Sequence, residues 1–375
     1  MKFTIFSHVD HCTYDHKLYA YAPYVREMNL WIDNFDEVEV VAHMSDRLAS
    51  NIDMAYSHNN ITFKSIKSFN LISLKNIFLA LVYVPKITVV IAKAMYSSDH
   101  IHLRCPGNVG LLACIIQIFF PKKRKTAKYA GNWDPNSKQP WSYTLQKWIL
   151  NNTFLTKNIQ VLVYGEWEDM SKNIKPFFTA TYSNEDAKKS LALPEKKINT
   201  NAISYFTFVG MLSDNKGPYY ALETFINLLK INSNVQLDFY GEGPEKDKIQ
   251  KIVIENNLQH KIFIHGNQNK DIIETALQNS HFLFLASKSE GWPKVVAEAM
   301  FWGCVPLTTN VSCVNQMIGF GQRGVILNMK IEEDLKNILK IVNNPTIYTA
   351  MSKSGKNWST QYTLEKFETE IKKLI

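Results

Sequence analysis

Two glutamates eight residues apart form the strongest pattern of chemistry-bearing residues in this sequence. They lie in Ser287–Leu307, SKSEGWPKVVAEAMFWGCVPL, where Glu290 follows an apolar run and Glu298 lies in the helical pattern after it. Glu290 would stand at a strand end, near a bound sugar, and the Glu298 carboxylate could accept two hydrogen bonds from a ribose diol. Either glutamate alone is equally consistent with a carboxylate favoured by a helix start or with a solvated side chain. Together, in this setting, they favour a binding site.

The turn between the two glutamates predicts an anion site. Pro293 suits the first position of a helix, because its missing N–H would have no partner there. The backbone N–H groups after it would point out of the helix start and, with the helix dipole, attract a phosphate. Gly291 would let the backbone approach that anion closely. The residues that would donate these N–H groups are Lys294, Val295 and Val296.

Three further strand ends carry residues that a ligand could approach. In FVGMLSDNKGP the strand ends at Gly210, and Lys216 could clamp a diphosphate as a point charge, although a solvated loop lysine is the simpler interpretation of that residue alone. In LDFYGEGP, Gly241 and Gly243 fit a loop that passes under a nucleotide, and Gly266 follows the run IFIH. A single Gly-x-Gly turn is weak support, since most such glycines serve turn geometry.

Parallel strands are needed to bring these turns to one edge. Short apolar or β-branched runs alternate with longer helical patterns, which predicts an α/β fold with crossover helices. The alternation restarts after Ser183–Asn201, a polar segment that we interpret as a linker. We therefore predict two Rossmann-like, doubly wound domains that face a cleft, with ligands at the carboxyl ends of the strands. The predicted division is 1–185, 186–356 and a last helix within 357–375 that packs back on the first domain.

The composition is that of a folded chain outside the membrane. Of 375 residues, 46% are hydrophobic and 20% are charged, which excludes disorder or coiled coil as the main state. Five scattered cysteines and a start unlike a signal peptide predict a reducing cytoplasm. Leu71–Met95 is interrupted by lysines and a proline, and Val109–Phe120 is short, so we predict that neither spans a membrane.

The positive charge is concentrated in the first half of the chain. The net charge is +8, and residues 1–200 hold 24 Lys and Arg against 17 Asp and Glu. Residues 201–375, which carry the glutamate pattern, hold 18 against 17 and are nearly neutral. The basic excess therefore indicates an anionic partner of the first half, either an acceptor or a membrane surface, although surplus lysine can also serve solubility alone.

The blocks described above resemble the family 4 (group 1) retaining glycosyltransferases of the GT-B fold, over roughly residues 203–330. The blocks that carry this resemblance are Gly210-x5-Lys216-Gly217, Tyr240-Gly-Glu-Gly-Pro244, Ile262-x3-Gly266 and Ser289-Glu290-Gly291 with Glu290-x7-Glu298. The resemblance implies a nucleotide-diphosphate sugar as donor, with Glu298 on the ribose, Glu290 on the transferred sugar and Lys216 on the diphosphate. The family commonly has arginine where this chain has Met211. No Asp-x-Asp triplet or His/Cys cluster has metal-ligand spacing, so we predict neither a metal nor another cofactor.

The first half departs from the family pattern, which often has a Gly-Gly loop after the first strand and a histidine after a middle strand. The acceptor-side candidates are polar residues after predicted strands, namely His11, Arg104, Asn108, Asn132 and Asp134. Asn132 or Asp134 would stand where the family's histidine acts. For His11, a satisfied polar turn is the better interpretation.

Two other features of the first half could contact a partner. A basic run follows the apolar segment IIQIFFP and consists of Lys122, Lys123, Arg124 and Lys125. It could attract anionic lipid headgroups, at about 1 kcal/mol per charge, or be a solvated loop. We predict no nucleic-acid partner, since no reader motif occurs. A nearby aromatic cluster is consistent with a sugar-stacking wall, an interfacial contact or core packing, and comprises Trp133, Trp141, Tyr143 and Trp148.

The sequence thus predicts a bacterial enzyme that moves a sugar from a nucleotide-diphosphate sugar to a hydroxyl of a lipid-linked or polysaccharide acceptor, with retention. Its expected role is in lipopolysaccharide or exopolysaccharide biosynthesis, in the cytoplasm or on the inner face of the plasma membrane. Two alternatives stay open: a sugar-nucleotide epimerase or hydrolase of the same fold, and a non-catalytic nucleotide-sugar-binding subunit. A nicotinamide-dependent oxidoreductase is disfavoured, because no Gly-x-Gly-x-x-Gly follows a strand.

Overall fold

The chain divides into two compact units. The computed structural model describes residues 1–50, 52–69 and 74–375 and, of residues 74–81, the backbone only. The first unit comprises Met1–Phe178 and Phe367–Ile375, and the second comprises Thr179–Lys366. Each unit contains a parallel sheet with helices, so the α/β, doubly wound fold predicted from the alternation of patterns is confirmed.

A seven-stranded parallel sheet forms the centre of the first unit. The strands of this unit are β1 (Lys2–Phe6), β2 (His11–Tyr14), β3 (Lys17–Tyr21), β4 (Glu37–Ala42), β5 (Asp53–Ala55), β6 (Ile61–Ser65), β7 (His100–Cys105), β8 (Arg124–Tyr129), β9 (Ile159–Tyr164) and β10 (Ile174–Phe177). The order in the main sheet is β10-β9-β8-β7-β1-β4-β6. The chain winds outward from β1 to β6 and then returns to β7 beside β1. This reversal is the topological switch point, where ligands of such sheets bind.

A small antiparallel sheet, β2-β3-β5, was not predicted. Its first two strands form a hairpin whose turn residues, Asp15 and His16, have φ angles of 48° and 57°. Two-residue hairpin turns with positive φ angles usually contain Asn-Gly or Asp-Gly. Here the second turn residue is histidine, and the strands are short and half exposed, so neither the turn signal nor an alternating apolar pattern was present.

Within the described residues, four α-helices lie wholly in the first unit. The four are α1 (Ala22–Ile32), α2 (Leu74–Ser97), α3 (Asn108–Ile116) and α4 (Trp141–Asn151). α2 covers most of the predicted helical segment Leu71–Met95, whose first three residues lie outside the described residues. In the described ranges, no helix combines the length and apolar character that crossing a membrane requires.

The second unit is built on a six-stranded parallel sheet in the order β13-β12-β11-β14-β15-β16. Its strands are β11 (Ser204–Val209), β12 (Val235–Tyr240), β13 (Ile262–Ile264), β14 (Phe282–Leu285), β15 (Val305–Thr309) and β16 (Val325–Leu327). Its helices are α5 (Asn184–Ala192), α6 (Pro218–Ile231), α7 (Lys246–Glu255), α8 (Lys270–Asn279), α9 (Lys294–Phe301), α10 (Val314–Met317), α11 (Ile331–Val342) and α12 (Pro345–Ser359). The switch point of this sheet lies between β11 and β14.

Aromatic packing forms much of the second core. Phe206 on β11 stacks on Phe282 of β14 at 4.7 Å between ring centroids and meets Phe225 of α6 edge-on at 5.6 Å. All three side chains are fully buried. Burying one such side chain stabilises the fold by about 1.5–3 kcal/mol, so this cluster fixes β11 and β14 beside each other.

The segment interpreted as a linker begins with a helix instead. Ser183 caps α5 through a reciprocal hydrogen-bond pair with Asp186, and Lys189 pairs with Glu185 one turn away at 2.9 Å. A capping box and an i,i+4 ion pair stabilise a helix even when its composition is polar. The polar composition was therefore a sign of a surface helix and not of a linker over its whole length.

The last helix, α13 (Leu364–Lys372), begins in the second unit, and its residues from Phe367 onward belong to the first. Within the first unit, Phe367 packs edge-on against Phe177 at 5.2 Å between ring centroids. Glu370 accepts a charged hydrogen bond from Lys175 at 2.9 Å. The end of the chain is thus anchored to β10 by both an aromatic and an ionic contact.

Candidate functional site

The structure brings Lys216 and Glu290 together. Lys216 Nζ donates to Glu290 Oε1 at 2.6 Å, although the two residues are 74 positions apart. The glutamate side chain is 9% exposed and the lysine side chain is 30% exposed. Lys216 follows β11 and Glu290 follows β14, and these strands are neighbours at the switch point. Parallel pairing therefore places both loops at one carboxyl edge of the sheet.

Backbone contacts hold these two loops in place. The Lys288 N–H donates to the carbonyl oxygen of Asn215 at 2.8 Å and so ties the loop after β14 to the loop after β11. Gly217, directly after Lys216, has a φ of 66°, and a Cβ there would overlap the carbonyl oxygen of Ala286. Lys216 is thus positioned by a close backbone approach that requires glycine.

The helix after Glu290 begins one residue later than predicted. Pro293 is the N-cap of α9, and Lys294 is the first helical residue. The Val296 N–H donates to the Pro293 carbonyl at 2.9 Å. The prediction that this N–H is free is therefore wrong, because the carbonyl of the N-cap takes the first hydrogen bond of the helix. The N–H groups of Lys294 and Val295, in the first turn, lie at the positive end of the helix dipole.

Glu298 lies on α9 and is half-buried. Its Oε1 accepts a hydrogen bond from the Thr181 hydroxyl at 2.7 Å. Burial raises the pKa of Tyr182, and the negative charge of Glu298 raises it further. Because a carboxylate has about four acceptor positions, the bond from Thr181 orients the group and leaves acceptor capacity for a ligand.

The predicted glycines line the neighbouring strand ends. The Gly210 N–H donates to the Tyr240 carbonyl at 2.9 Å, and the Gly241 N–H donates to the Gly266 carbonyl at 2.8 Å. Gly241 has a φ of 145°, and a Cβ there would overlap the carbonyl oxygen of Gly210. A Cβ on Gly243 would likewise overlap backbone of the loop after β11. The loops after β11, β12 and β13 are therefore packed backbone to backbone.

Lysines supply positive charge at this edge of the sheet. Met211, where the family resemblance leads one to expect arginine, is 61% exposed and cannot neutralise an anion. Lys216 pairs with Glu290, and Lys288 in the neighbouring loop pairs with Asp214 at 2.7 Å. Two cations therefore stand within the loops after β11 and β14, each beside a carboxylate.

In the first unit, two of the acceptor-side candidates are buried and engaged. The ring nitrogens of His11 hydrogen-bond to the Tyr56 hydroxyl and to the Val9 carbonyl, both at 2.8 Å. Burial lowers the pKa of His11 to about 4. Arg104 donates to the Glu27 carboxylate at 2.7 Å. Both side chains are therefore already hydrogen-bonded within the unit.

The other three candidates lie partly exposed at the carboxyl ends of β7 and β8. Asn108 donates to the Phe69 carbonyl at 2.7 Å. Asn132 Oδ1 accepts the Asp134 N–H at 2.9 Å, and Asp134 Oδ1 accepts the Asn136 N–H at 2.8 Å. The amide and carboxylate groups of Asn132 and Asp134 therefore shape one turn after β8.

The four residues of the basic run differ in exposure. Lys125 is buried, and its ammonium donates to two backbone carbonyls at 3.0 and 3.2 Å. Burial lowers the pKa of Lys125 to about 8. Lys123 donates to the Ser98 carbonyl at 2.6 Å. Of the four residues, Lys122 and Arg124 are exposed, whereas the ammonium groups of Lys123 and Lys125 are engaged by backbone carbonyls.

Sequence reasoning missed the residues that position the candidates. Thr181 orients Glu298, Ser312 donates to the Gly291 carbonyl at 2.7 Å, and Glu27 neutralises Arg104. Glu27 carried a signal, since it is a charged residue on the apolar face of α1 and buried charges are normally paired. Single hydroxyl residues such as Thr181 carry none. Among the residues with described side chains, no group of three or more His, Cys, Asp or Glu is placed to hold a metal ion.

Most of the second unit is similar to a known family. Residues 186–358 match the model of the glycosyl transferases group 1. The structure resembles Anabaena HepE in complex with UDP, with a TM-score of 0.68 and 12% identity, over 100% of this chain and 99% of that one. A likeness at this identity establishes the fold, which is GT-B.

Curated relatives match the chain over about half their length. An uncharacterized glycosyltransferase of Methanocaldococcus jannaschii is 28% identical over 178 residues, which are 47% of this chain and 49% of the relative. Alpha-monoglucosyldiacylglycerol synthase of Acholeplasma laidlawii is 23% identical over 193 residues, which are 52% of this chain and 48% of that protein. The comparisons support a glycosyltransferase of group 1.

Proposed function

We propose that this chain is a retaining, family 4 glycosyltransferase that moves a sugar from a nucleotide-diphosphate sugar to a hydroxyl of a lipid-linked or polysaccharide acceptor. The observation that carries the proposal is the Lys216–Glu290 ion pair at the switch point of the second sheet, beside the start of α9. It supplies a cation for a diphosphate and a carboxylate for a sugar hydroxyl at one place. The match of residues 186–358 to the group 1 enzymes supports the same reaction class.

In the proposed reaction, the bond between the anomeric carbon and the phosphate oxygen breaks, and a bond from that carbon to the acceptor oxygen forms on the same face. The acceptor proton passes to the departing phosphate oxygen, so the protein need not supply a base. Negative charge accumulates on the leaving diphosphate. Lys216 and the first-turn N–H groups of α9 would stabilise that charge, which is the electrostatic contribution that usually dominates such catalysis.

The remaining donor contacts follow from the same edge of the sheet. Glu298, oriented by Thr181, would accept hydrogen bonds from the ribose hydroxyls. Gly210, Gly241 and Gly266, at the ends of three adjacent strands, would let the nucleotide lie close to the backbone. We propose that no metal bridges the diphosphate, because the lysine and the helix start already supply positive charge there.

The acceptor is proposed from the charge of the first half and from the relatives. Residues 1–200 carry an excess of seven positive charges, which favours an acceptor that is anionic or lies at an anionic membrane surface. One relative is named as a synthase of alpha-monoglucosyldiacylglycerol, a lipid product. We therefore propose a role in bacterial surface polysaccharide assembly, at the inner face of the plasma membrane.

A ligand screen tests the proposal. Purified protein is heated with UDP, GDP, ADP and their common sugars, and stabilisation by one nucleotide diphosphate is expected. The matching sugar donor is then incubated with lipid extracts, with excess EDTA in a parallel sample, and the product's anomeric configuration is read by NMR. Stabilisation by no nucleotide would refute the donor site. Release of free sugar without an acceptor would identify a hydrolase, and an EDTA-sensitive transfer would overturn the metal-free proposal.

Contact with a membrane is tested separately. Lys122 and Arg124 are the exposed members of the basic run, so replacing both with serine should reduce adsorption to phosphatidylglycerol vesicles at low salt. The matched control replaces Lys123 and Lys125, whose ammonium groups bind backbone carbonyls. Equal adsorption of the wild type and the exposed-pair variant would place the contact elsewhere.

A further inference from the structure

An open pocket in the first unit, beside the turn that contains Asn132 and Asp134, is lined by three tryptophans. We call it the tryptophan pocket and define it by Trp133, Trp148, Trp167, Glu168 and Asp169. Its volume is about 550 Å³, within the range of about 300–1,000 Å³ that is typical of small-molecule sites. It lies beyond the carboxyl ends of β8 and β9, against α4.

The helix α4 turns an aromatic face outward. Its buried side consists of Gln146, Ile149 and Leu150. On the opposite side, Trp148 is 58% exposed and lines the tryptophan pocket, and Trp141, two turns earlier, is 64% exposed and does not. A tryptophan held largely in water forgoes its considerable burial energy, and aromatic residues concentrated on a surface mark a binding site.

Hydrogen bonds fix the walls of the pocket before any ligand arrives. The Trp167 indole N–H donates to the Tyr164 carbonyl at 2.8 Å. Trp133 meets Tyr129 edge-on at 4.9 Å between ring centroids. The Asn151 amide donates to the Asp169 carbonyl at 3.1 Å, which ties α4 to the loop after β9. A site that is already ordered loses little side-chain entropy on binding.

Lys147 also lines the tryptophan pocket, beside Trp133. Its ammonium donates to the Asp134 carbonyl at 2.9 Å and lies 5.7 Å from the centroid of the Trp133 ring. Burial lowers the pKa of Lys147. The lysine is therefore part of the wall, and its charge is directed at the Trp133 ring and a backbone carbonyl.

The combination of groups identifies the class of ligand. Flat indole faces pack against the C–H faces of a sugar ring, and the neighbouring carboxylates of Glu168 and Asp169 accept hydrogen bonds from hydroxyl groups. Both carboxylates are exposed, whereas the single lysine is engaged. An anionic headgroup or a phosphate polymer would be repelled at this mouth, whereas a neutral or amino sugar would not.

We infer that the tryptophan pocket is a carbohydrate subsite that holds neutral or amino-sugar residues of the acceptor. Its use by an acceptor rests on the proposed glycosyltransferase function. The location after β8 and β9 differs from that of the donor residues, all of which belong to the second unit. The subsite would contribute to acceptor affinity and leave nucleotide binding unchanged.

Calorimetric titration of the full chain tests this inference. The probes are maltohexaose, cellohexaose, N-acetylated chitohexaose and deacetylated chitohexaose. We expect saturable binding of at least one of them, and about tenfold weaker binding to Trp148→Ala. Trp141→Ala is the matched control, since it removes an exposed tryptophan from the same helix without touching the pocket, and it should change affinity less than twofold. Glu168→Gln with Asp169→Asn should weaken binding severalfold.

The same samples are titrated with the nucleotide diphosphate found in the donor screen. Nucleotide binding without binding of any oligosaccharide would overturn the subsite and leave the proposed function intact. Equal losses of oligosaccharide affinity in Trp148→Ala and Trp141→Ala would also overturn it. So would a Trp148→Ala variant that keeps its oligosaccharide affinity and loses only adsorption to the phosphatidylglycerol vesicles described above. Absence of nucleotide binding together with oligosaccharide binding would refute the donor site and support the subsite.

Discussion

Separating the roles of Lys216 and Glu290 tests the donor site most directly. Lys216→Met removes the cation, and Glu290→Gln removes the negative charge while keeping the shape of the side chain. If Lys216 binds the diphosphate and Glu290 binds the sugar, the two variants differ in which ligand they lose. Lys216→Met weakens the binding of both the nucleotide diphosphate and the nucleotide-diphosphate sugar. Glu290→Gln weakens the binding of the sugar donor. It leaves the affinity for the nucleotide diphosphate unchanged or increases it, since Lys216 is released from its partner.

The expected sizes follow from the geometry of the pair. A hydrogen bond to a charged group contributes about 1.5–3 kcal/mol, so Lys216→Met should weaken nucleotide binding by about 10- to 100-fold. The same variant leaves the Glu290 carboxylate, which is 9% exposed, without its ion partner. Leaving a buried group unpaired costs about 1–3 kcal/mol, so Lys216→Met should also lower the free energy of unfolding by that amount.

Calorimetry with the nucleotide diphosphate and with its sugar, on both variants, measures the split, and urea unfolding measures the stability change. Lys330→Met is the matched control, because Lys330 forms an ion pair with Glu333 at 3.0 Å in the same unit, but the pair is exposed at the start of α11. It should leave both affinities unchanged. Equal weakening of nucleotide and sugar donor by Glu290→Gln would refute the assignment of Glu290 to the sugar. Unchanged nucleotide affinity in Lys216→Met would refute the clamp.

Three other perturbations have defined outcomes. Glu298→Ala should weaken nucleotide binding about tenfold, by loss of charged hydrogen bonds to the ribose, and unchanged affinity in calorimetry would contradict the ribose assignment. Gly241→Ala should lower the free energy of unfolding by about 3 kcal/mol, whereas Gly321→Ala, at a φ of 96° with nothing within 4 Å of the added Cβ, should lower it by about 1 kcal/mol; equal urea midpoints would show that the overlap at Gly241 is relieved. Burial lowers the pKa of His102 to about 3, so its contribution is complete above the unfolded pKa near 6.5 and is lost as pH falls toward 3, at about 1.4 kcal/mol per unit. His102→Gln should reduce the loss of unfolding free energy between pH 7 and pH 5, measured by urea unfolding at both pH values. An equal loss in the variant and the wild type would contradict this assignment.

The main sheets and the donor edge were predictable because they depend on order along the chain. Alternating strands and helices give parallel sheets, and in a doubly wound sheet the first and fourth strands are neighbours. That rule brings Lys216 and Glu290 together, as their loops follow β11 and β14. The pattern placed both residues after strands, and topology supplied the contact.

What was missed depends on contacts between distant segments or on single-residue geometry. The Thr181 hydroxyl donates a hydrogen bond to Glu298, 117 positions along the chain, and no periodic pattern in the sequence predicts such a contact. The hairpin at Asp15 and His16 uses φ angles that glycine or asparagine would have signalled. The burial of Lys125 differs from the usual interpretation of a basic run, because its ammonium donates to the backbone carbonyls of Gln117 and Phe120.

The ion pair between Lys216 and Glu290 has a consequence for the ionic-strength dependence of donor binding. A lysine exposed to solvent attracts mobile anions from the buffer. A ligand that displaces these anions binds more weakly as the salt concentration rises. Lys216 is instead neutralised by a carboxylate of its own protein at 2.6 Å. An arriving diphosphate would exchange with this fixed counterion, so affinity at Lys216 should depend little on salt. In Glu290→Gln the counterion would come from the buffer, and donor affinity should then fall as salt is added.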